Sequence, residues 1–153
     1  MPTHYKGSPA EVRALDAFIK LVRAMSRLDA ALEASTLEQG ITGSQLGVLE
    51  ALFHLGPMSQ SALCTKLLLS GGNLTLVVTN LEKAGHVRRA RTTEDRRVVI
   101  VSLTREGRRF IERIFPMHAR RVTELFGALT AAEQETLGRL CKKLGVSIQS
   151  RTQ

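Results

Sequence analysis

Along most of this 153-residue chain the apolar residues recur every three or four positions, and they alternate only between His86 and Leu103. The first spacing is that of an α-helix with one buried face, and the second is that of a β-strand. The apolar runs fall far short of the roughly 20 residues that a transmembrane helix requires. The pattern therefore predicts a mostly α-helical fold with a two-stranded β-hairpin.

Glycine and hydroxyl residues mark where the first helices end and begin. A helical pattern covers roughly Glu11–Glu38 and ends at Gly40. This helix is longer than the average helix of a globular protein, so part of its apolar stripe should lack a partner within one subunit. A contact with a second subunit is the simplest way to cover it. Three shorter helices are expected to form a compact unit, with hydroxyl caps at Thr42, Ser59 and Ser70. The second of them is expected to bury Leu63, Leu67 and Leu68.

The hairpin and two further helices complete the chain. The strands are predicted over His86–Arg91 and Val98–Leu103, with the polar stretch Thr92–Arg97 between them. Pro116 lies inside the first of the last two helices, where we expect a kink. These helices are expected to begin at a threonine cap, at Thr104 and at Thr130 in a capping box with Glu133.

Positive charge is concentrated in one segment of the chain. The formal net charge is +8, from 22 Lys and Arg and 14 Asp and Glu. Residues 86–121 hold eleven arginines and four acids, and the remainder of the chain is close to neutral. The planar guanidinium group matches phosphates and guanine edges. A polyanionic partner is therefore the first hypothesis, and a solvated basic surface is the alternative.

The helix that follows Ser70 has one apolar and one polar face. On a helical wheel Leu74, Val77, Val78 and Leu81 form a stripe that we expect to be buried. The opposite face suits the major groove of DNA, because asparagine pairs with adenine and threonine or leucine contacts thymine methyl groups. The predicted contact residues are Ser70, Gly71, Gly72, Asn73, Thr75, Leu76, Thr79, Asn80 and Lys83. The alternative is an ordinary surface helix behind a glycine-rich turn.

The loop of the hairpin ends in Asp95-Arg96-Arg97. An aspartate repels phosphate, so its presence in a basic loop indicates that it orients an arginine directed into a narrow groove. In an extended loop Arg96 and Arg97 point in opposite directions. One can then enter the minor groove while the other contacts a phosphate.

This order of elements resembles the MarR family of bacterial transcription regulators. The resemblance covers about residues 11–148 and includes the segment Ser70-Gly-Gly-Asn-Leu-Thr75. Its most specific part is Asp-x-Arg followed by an alternating strand that ends in Leu-Thr, at Asp95, Arg97, Leu103 and Thr104. It implies a winged helix-turn-helix in residues 41–103 and helical dimerisation arms in residues 1–38 and 104–153, within one continuous compact unit per subunit.

The resemblance implies a sequence-specific DNA-binding regulator, most simply a homodimeric repressor on a pseudo-palindromic operator. By position, Ser70–Asn80 would contact the major groove and Arg97 the minor groove, while Asp95 would hold the wing arginine. The start of the preceding helix would lie on phosphate, with the residues Ser59, Gln60 and Ser61. The alternative is a dimeric ligand-binding or protein-interaction module that has lost operator recognition.

Family members often respond to a small phenolic or lipophilic ligand bound between the dimer helices and the winged unit. The candidate lining residues, each of which also suits an ordinary core or surface position, are Met25, Leu28, Leu49, Phe53, His54, Met117 and His118.

Other functions find little support in the sequence. Cys64 and Cys141 are far apart and suit packing in a reducing compartment, and the four histidines lack the spacing of metal ligands. Nucleotide-binding and catalytic motifs are also absent. We therefore expect no enzyme activity, cofactor, metal or membrane contact. Because the N-terminal segment lacks an apolar signal region, we expect a cytoplasmic protein.

Overall fold

The computed structural model describes residues 3–150, which form six α-helices and three short β-strands. The elements are α1 Pro9–Glu38, α2 Gly43–Leu55, β1 Met58–Ser59, α3 Gln60–Leu67, α4 Gly71–Lys83, β2 Val87–Arg91, β3 Val99–Leu103, α5 Arg105–Phe126 and α6 Ala131–Gln149. The predicted fold class, mostly helical with a β-wing, is confirmed.

The helices begin at hydroxyl caps because these satisfy main-chain N–H groups that lack a partner within the helix. Each predicted cap accepts such an N–H, at Thr42, Ser59, Ser70, Thr104 and Thr130. A capping box that the sequence analysis missed, between Ser8 and Glu11, begins α1 two residues before the predicted start. Gly40 follows α1 with φ 78°, a conformation that glycine adopts without strain.

The hairpin is part of a larger sheet than the sequence predicts. β2 and β3 pair antiparallel, with Val87 opposite Leu103 and Arg91 opposite Val99. β1 pairs with the other edge of β3, which gives the strand order β1-β3-β2. The prediction of two strands is therefore corrected to three. β1 has only two residues, too few for an alternating pattern to show.

One apolar core joins α2, α3, α4, the sheet and the first half of α5. Its largest fully buried side chains are Leu49, Leu52, Leu63, Leu74, Leu81, Ile111, Val48, Val78, Val87 and Val101. The four α4 residues predicted from the helical wheel are all buried in it. The core therefore fixes which face of α4 remains in solvent.

Leu68 is exposed, although we expected it to be buried. α3 ends at Leu67, and Leu68 adopts a left-handed conformation with φ 54° and ψ 33° while its N–H donates to the carbonyl of Cys64. This conformation leaves the residue 91% exposed. A helical wheel cannot predict the change, because it assumes that the helix continues.

The described residues divide into two compact units, and the boundary lies between His118 and Ala119 of α5. The first unit contains the sheet and the apolar core. The second contains the end of α5 and all of α6, none of whose described residues is buried. α5 is continuous through Pro116, and the expected kink stays a prediction.

Within residues 3–150, no single helix has the length and apolar composition to cross a bilayer. α3 and α4 meet these requirements only as a pair bent by 111°.

Candidate nucleic-acid interface

α4 presents to solvent the face that the sequence predicts to contact DNA. Gly71, Gly72, Asn73, Thr75, Leu76, Asn80 and Lys83 are exposed, and Thr79 is half-buried. Ser70 begins the helix by accepting the main-chain N–H of Asn73 at 3.3 Å. The hydroxyl of Thr75 donates to the carbonyl of Gly71 at 2.8 Å, which leaves its methyl group for an external contact. Leu76 is 61% exposed, so an apolar side chain stands at the centre of a polar face.

The only acidic residue of α4 is held by β2. Oε2 of Glu82 accepts from Nη2 of Arg89 at 2.6 Å and from its Nε at 2.9 Å, and Oε1 accepts the main-chain N–H of Arg89 at 2.9 Å. The side-chain hydrogen bonds from Arg89, followed by the main-chain one, lower the pKa of Glu82. The carboxylate is therefore neutralised by an adjacent guanidinium, and the face of α4 carries no unpaired negative charge.

Sequence reasoning missed this role of Arg89 and counted the residue with the other arginines of its segment. The available signal was the position of Glu82, the lone acid of its helix, seven residues before Arg89 and across the turn at Gly85.

The start of α3 is tied to the sheet. Oγ of Ser59 accepts the N–H of Ala62 at 3.1 Å and lies 2.9 Å from Oγ of Ser61. Ser59 is also the last residue of β1, where it pairs with Ile100 of β3. The predicted phosphate-contacting residues Ser59, Gln60 and Ser61 therefore lie together, and β1 links them directly to the strand that carries the wing.

The wing loop between β2 and β3 is closed by its own hydrogen bonds. Oγ1 of Thr92 accepts the N–H of Asp95 at 3.1 Å and donates to its carbonyl at 2.6 Å. Oδ1 of Asp95 accepts the main-chain N–H of Arg97 at 2.9 Å. Within residues 3–150 Asp95 forms no ion pair, so it orients Arg97 through the main chain and does not hold the guanidinium. The side chains of Arg96 and Arg97 are exposed.

The seven residues predicted to line a ligand pocket do not surround one cavity. Leu49 is fully buried in the core, and its predicted ligand contact stays a prediction. Phe53 packs against the same core, whereas Met25 and His54 are exposed and Leu28 is half-buried. Met117 and His118 line a narrow gap near the end of α1. Spacing on a helix cannot distinguish core residues from pocket residues, because both face inward.

A larger cavity of about 380 Å³ lies between α1 and α2. Three carboxylates line it, from Asp29, Glu33 and Glu50, and His118 is the only predicted ligand residue among its walls. One oxygen of Glu33 accepts the N–H of Gly43 at 2.9 Å. Its lining is therefore acidic, unlike a pocket for a lipophilic anion.

The cysteines and metal-ligating groups form no further site in the part of the chain that the structure describes. Cys64 is half-buried beside the core, and Cys141 is exposed on α6. No group of three His, Cys, Asp or Glu side chains between residues 3 and 150 could hold a metal ion.

Comparisons with known proteins match this geometry. The sequence profile of the MarR family matches residues 41–99, the helix-turn-helix and most of the wing. The HTH-type transcriptional regulator YkoM of Bacillus subtilis is 32% identical over 137 residues, which cover 90% of this chain and 89% of that protein. A MarR mutant from Escherichia coli, solved with operator DNA, is 27% identical with a TM-score of 0.75 and covers 91% of this chain and 99% of its own.

A third similar protein is BpsR of Bordetella bronchiseptica, whose DNA binding is regulated by 6-hydroxynicotinic acid. It is 26% identical with a TM-score of 0.78, and the match covers 84% of this chain and 98% of BpsR. The curated relatives are transcriptional regulators, which are not enzymes. The chain therefore belongs to the MarR family of DNA-binding transcriptional regulators.

Proposed function

We propose that the protein is a homodimeric repressor that binds a pseudo-palindromic operator and is released by a small molecule. The observation that carries the DNA-binding part is the exposed face of α4, whose only acid is neutralised by Arg89. Its asparagine, threonine and leucine side chains match the hydrogen-bonding and methyl groups of the major groove. Arg96 and Arg97 match the narrow minor groove and its flanking phosphates.

The dimer is supported by exposed apolar side chains on α1 and, independently, by those on α6. On α1 these are Phe18, Val22 and Met25, and on α6 they are Leu137, Leu140 and Leu144. Contiguous apolar surface of this kind is typical of an interface between subunits. Two copies related by a dyad would present two α4 helices to one duplex, which explains why a pseudo-palindromic site is expected.

The oligomeric state is tested by sedimentation equilibrium of the full chain. Leu140→Glu should shift the protein from dimer to monomer, because it places a charge within the apolar stripe of α6. Lys142→Glu is the control, since it introduces the same side chain on the opposite side of the helix. A wild-type chain that sediments as a monomer at operator-binding concentrations would contradict the proposal.

DNA binding is tested by selecting bound fragments from random DNA and then measuring their affinity at several salt concentrations. The logarithm of the binding constant should fall by about 0.9 per neutralised phosphate for each tenfold increase in salt. A response independent of salt, with no fragment enriched, would favour the alternative of a ligand-binding or protein-interaction module. Repression is then tested by whether the protein reduces transcription from a promoter that contains the recovered operator.

The small-molecule part of the proposal rests on the likeness to BpsR and on the 380 Å³ cavity. Its acidic lining favours a cationic or neutral ligand over the phenolic or lipophilic ligand that the resemblance implies. Matched sets of aromatic amines, phenols and aromatic acids can be tested for release of the protein from its operator. If amines release the protein from DNA and the Glu50→Gln variant responds to them less strongly, the cavity is the effector site. Release by phenols alone would place the effector at another site.

A further inference from the structure

An open pocket of about 310 Å³ lies where the end of α4, the start of β2 and the first turns of α5 meet. It is lined by His86, Glu106, Arg109, Phe110 and Arg113. None of these residues belongs to the predicted DNA-contacting set or to the predicted ligand residues.

The pocket has an excess of unneutralised positive charge. Arg109 and Arg113 are exposed and lie four residues apart, on neighbouring turns of the same face of α5. Like charges at this spacing repel each other. Neither guanidinium group forms an ion pair or a hydrogen bond with another residue of the described chain, and Glu106 is the single acid among the lining residues. A bound anion would relieve the repulsion.

The third polar group of the pocket is a buried imidazole nitrogen. Nδ1 of His86 is buried and has no hydrogen-bond partner among residues 3–150. A buried polar atom without a partner costs free energy. A rotation of the imidazole that brings Nδ1 to the pocket, with the proton on that nitrogen, would let a ligand oxygen recover this free energy by accepting a hydrogen bond from it.

The faces of Phe110 restrict which anion fits. The ring of His86 stacks on that of Phe110, with centroids 4.3 Å apart and 21° between the planes. The guanidinium of Arg113 also lies over the ring of Phe110, 5.3 Å from its centroid. These contacts occupy the aromatic surface that a planar ligand would need for stacking. The pocket is therefore suited to a compact oxyanion with several acceptor oxygens.

We propose that His86, Arg109 and Arg113 bind a phosphoryl group. A phosphoryl group presents three acceptor oxygens, one for each of these donors, and guanidinium groups bind it through charge-assisted hydrogen bonds. The group can come from inorganic phosphate or a phosphorylated small molecule, or from the DNA backbone.

The position of the pocket explains how the bound group would influence α4. The carbonyl of His86 accepts the N–H of Thr104 at 3.0 Å and its hydroxyl at 3.2 Å. A Cβ added to Gly107 would lie 1.9 Å from the same carbonyl, so α5 packs directly on this residue. A ligand that contacts both His86 and α5 would stiffen the attachment of α4 to α5.

The experiment titrates the full chain with inorganic phosphate, in chloride buffers of constant ionic strength, and follows the imidazole resonance of His86 by NMR. We expect saturable binding that the double variant Arg109→Gln/Arg113→Gln weakens at least tenfold. Arg105→Gln, which removes an exposed arginine outside the pocket from the same helix, should bind phosphate as the wild type does. Glu106→Gln should bind more tightly, because it removes the acid that faces the anion.

A DNA titration separates the two sources of the phosphoryl group. If the DNA backbone supplies it, the double variant should lose affinity equally for operator and random duplexes, with a shallower salt dependence. If a small molecule supplies it, phosphate should saturate the pocket while the double variant binds DNA as the wild type does. The proposal is overturned if phosphate binding is absent or equal in the double variant and DNA binding is also unchanged.

Discussion

At the scale of single residues, the left-handed backbone at Leu68 costs free energy that a glycine would not. A non-glycine residue in this region is destabilised by roughly 1 kcal/mol, whereas glycine adopts it readily. Leu68→Gly should therefore raise the free energy of unfolding by about 0.5–1 kcal/mol, because the leucine side chain is 91% exposed and loses little packing. The measurement is urea denaturation with an unchanged slope.

Ala84→Gly is the control for Leu68→Gly. Ala84 ends α4 with φ −76°, a right-handed conformation, so glycine should lower stability there. If the free energy of unfolding falls in both variants, the packing lost with the Leu68 side chain is worth more than the backbone strain that glycine relieves.

Glu82 gives the stability of the protein a defined dependence on pH. Its hydrogen bonds with Arg89 lower the folded-state pKa below the ordinary value of 4.5. The unfolded chain therefore binds more protons near that pH, and stability rises with pH. The contribution of Glu82 is complete above the unfolded pKa and is lost as the pH falls through the folded one. Glu82→Gln should consequently reduce the slope of unfolding free energy against pH between about 5 and 3.

Two further carboxylates set the background for this measurement. Hydrogen bonds from Ser8 and Thr130 in the capping boxes lower the pKa of Glu11 and Glu133, and both contributions remain in the Glu82→Gln variant. Glu135→Gln is the control for removing one exposed carboxylate, because the carboxylate of Glu135 has no hydrogen bond or ion pair with residues 3–150. A slope that Glu82→Gln leaves unchanged would contradict the role assigned to the pair.

At the scale of elements, the wing is built so that the Arg97 side chain is free while its main chain is fixed. Asp95 bonds the N–H of Arg97, which alanine retains. Arg97→Ala should therefore weaken operator binding by roughly 1–3 kcal/mol with little change in melting temperature. Arg97→Lys, which keeps the charge but not the planar group, should recover part of the affinity. A large fall in the melting temperature of Arg97→Ala would show that the side chain has a structural role.

The α4 helix permits a test of base recognition that leaves its own start intact. Ser70 caps the helix through the main-chain N–H of Asn73, so Asn73→Ala keeps this hydrogen bond. We expect the variant to lose more affinity for the operator than for random DNA, because asparagine pairs with base edges. Lys83→Ala is the comparison, and it should weaken both duplexes equally if it contacts phosphate. Equal losses in Asn73→Ala would exclude base contact by this residue.

The elements also show which features follow from sequence. The buried stripe of α4 and the hairpin were predictable, because each follows from a repeating pattern of apolar residues. β1, the Glu82–Arg89 pair and the main-chain contact of Asp95 were not, because each joins residues whose proximity depends on a turn or on strand pairing. Leu49 was named as a ligand candidate from the family resemblance, which could not show that the side chain is fully buried in the core.

At the scale of the whole molecule, the proposed dimer requires a fixed spacing between half-sites. Two α4 helices related by a dyad meet successive major grooves on one face of DNA only if their centres lie about 34–36 Å apart, or about 10 base pairs. Inserting five base pairs at the operator centre rotates one half-site to the opposite face, so affinity should fall toward that of a single half-site.

An insertion of ten base pairs distinguishes a rigid dimer from a flexible one. It restores the rotational position of the second half-site but about doubles the separation, which a rigid pair of subunits cannot span. We therefore expect the operator with the ten-base-pair insertion to bind as weakly as the operator with the five-base-pair insertion. The measurement is an anisotropy titration, with an isolated half-site as the reference. Full affinity for the operator with the ten-base-pair insertion would show that the linkage between subunits does not set the spacing between half-sites. Equal affinity for the isolated half-site and the intact operator would show that one subunit suffices, and the apolar faces of α1 and α6 would then need another partner.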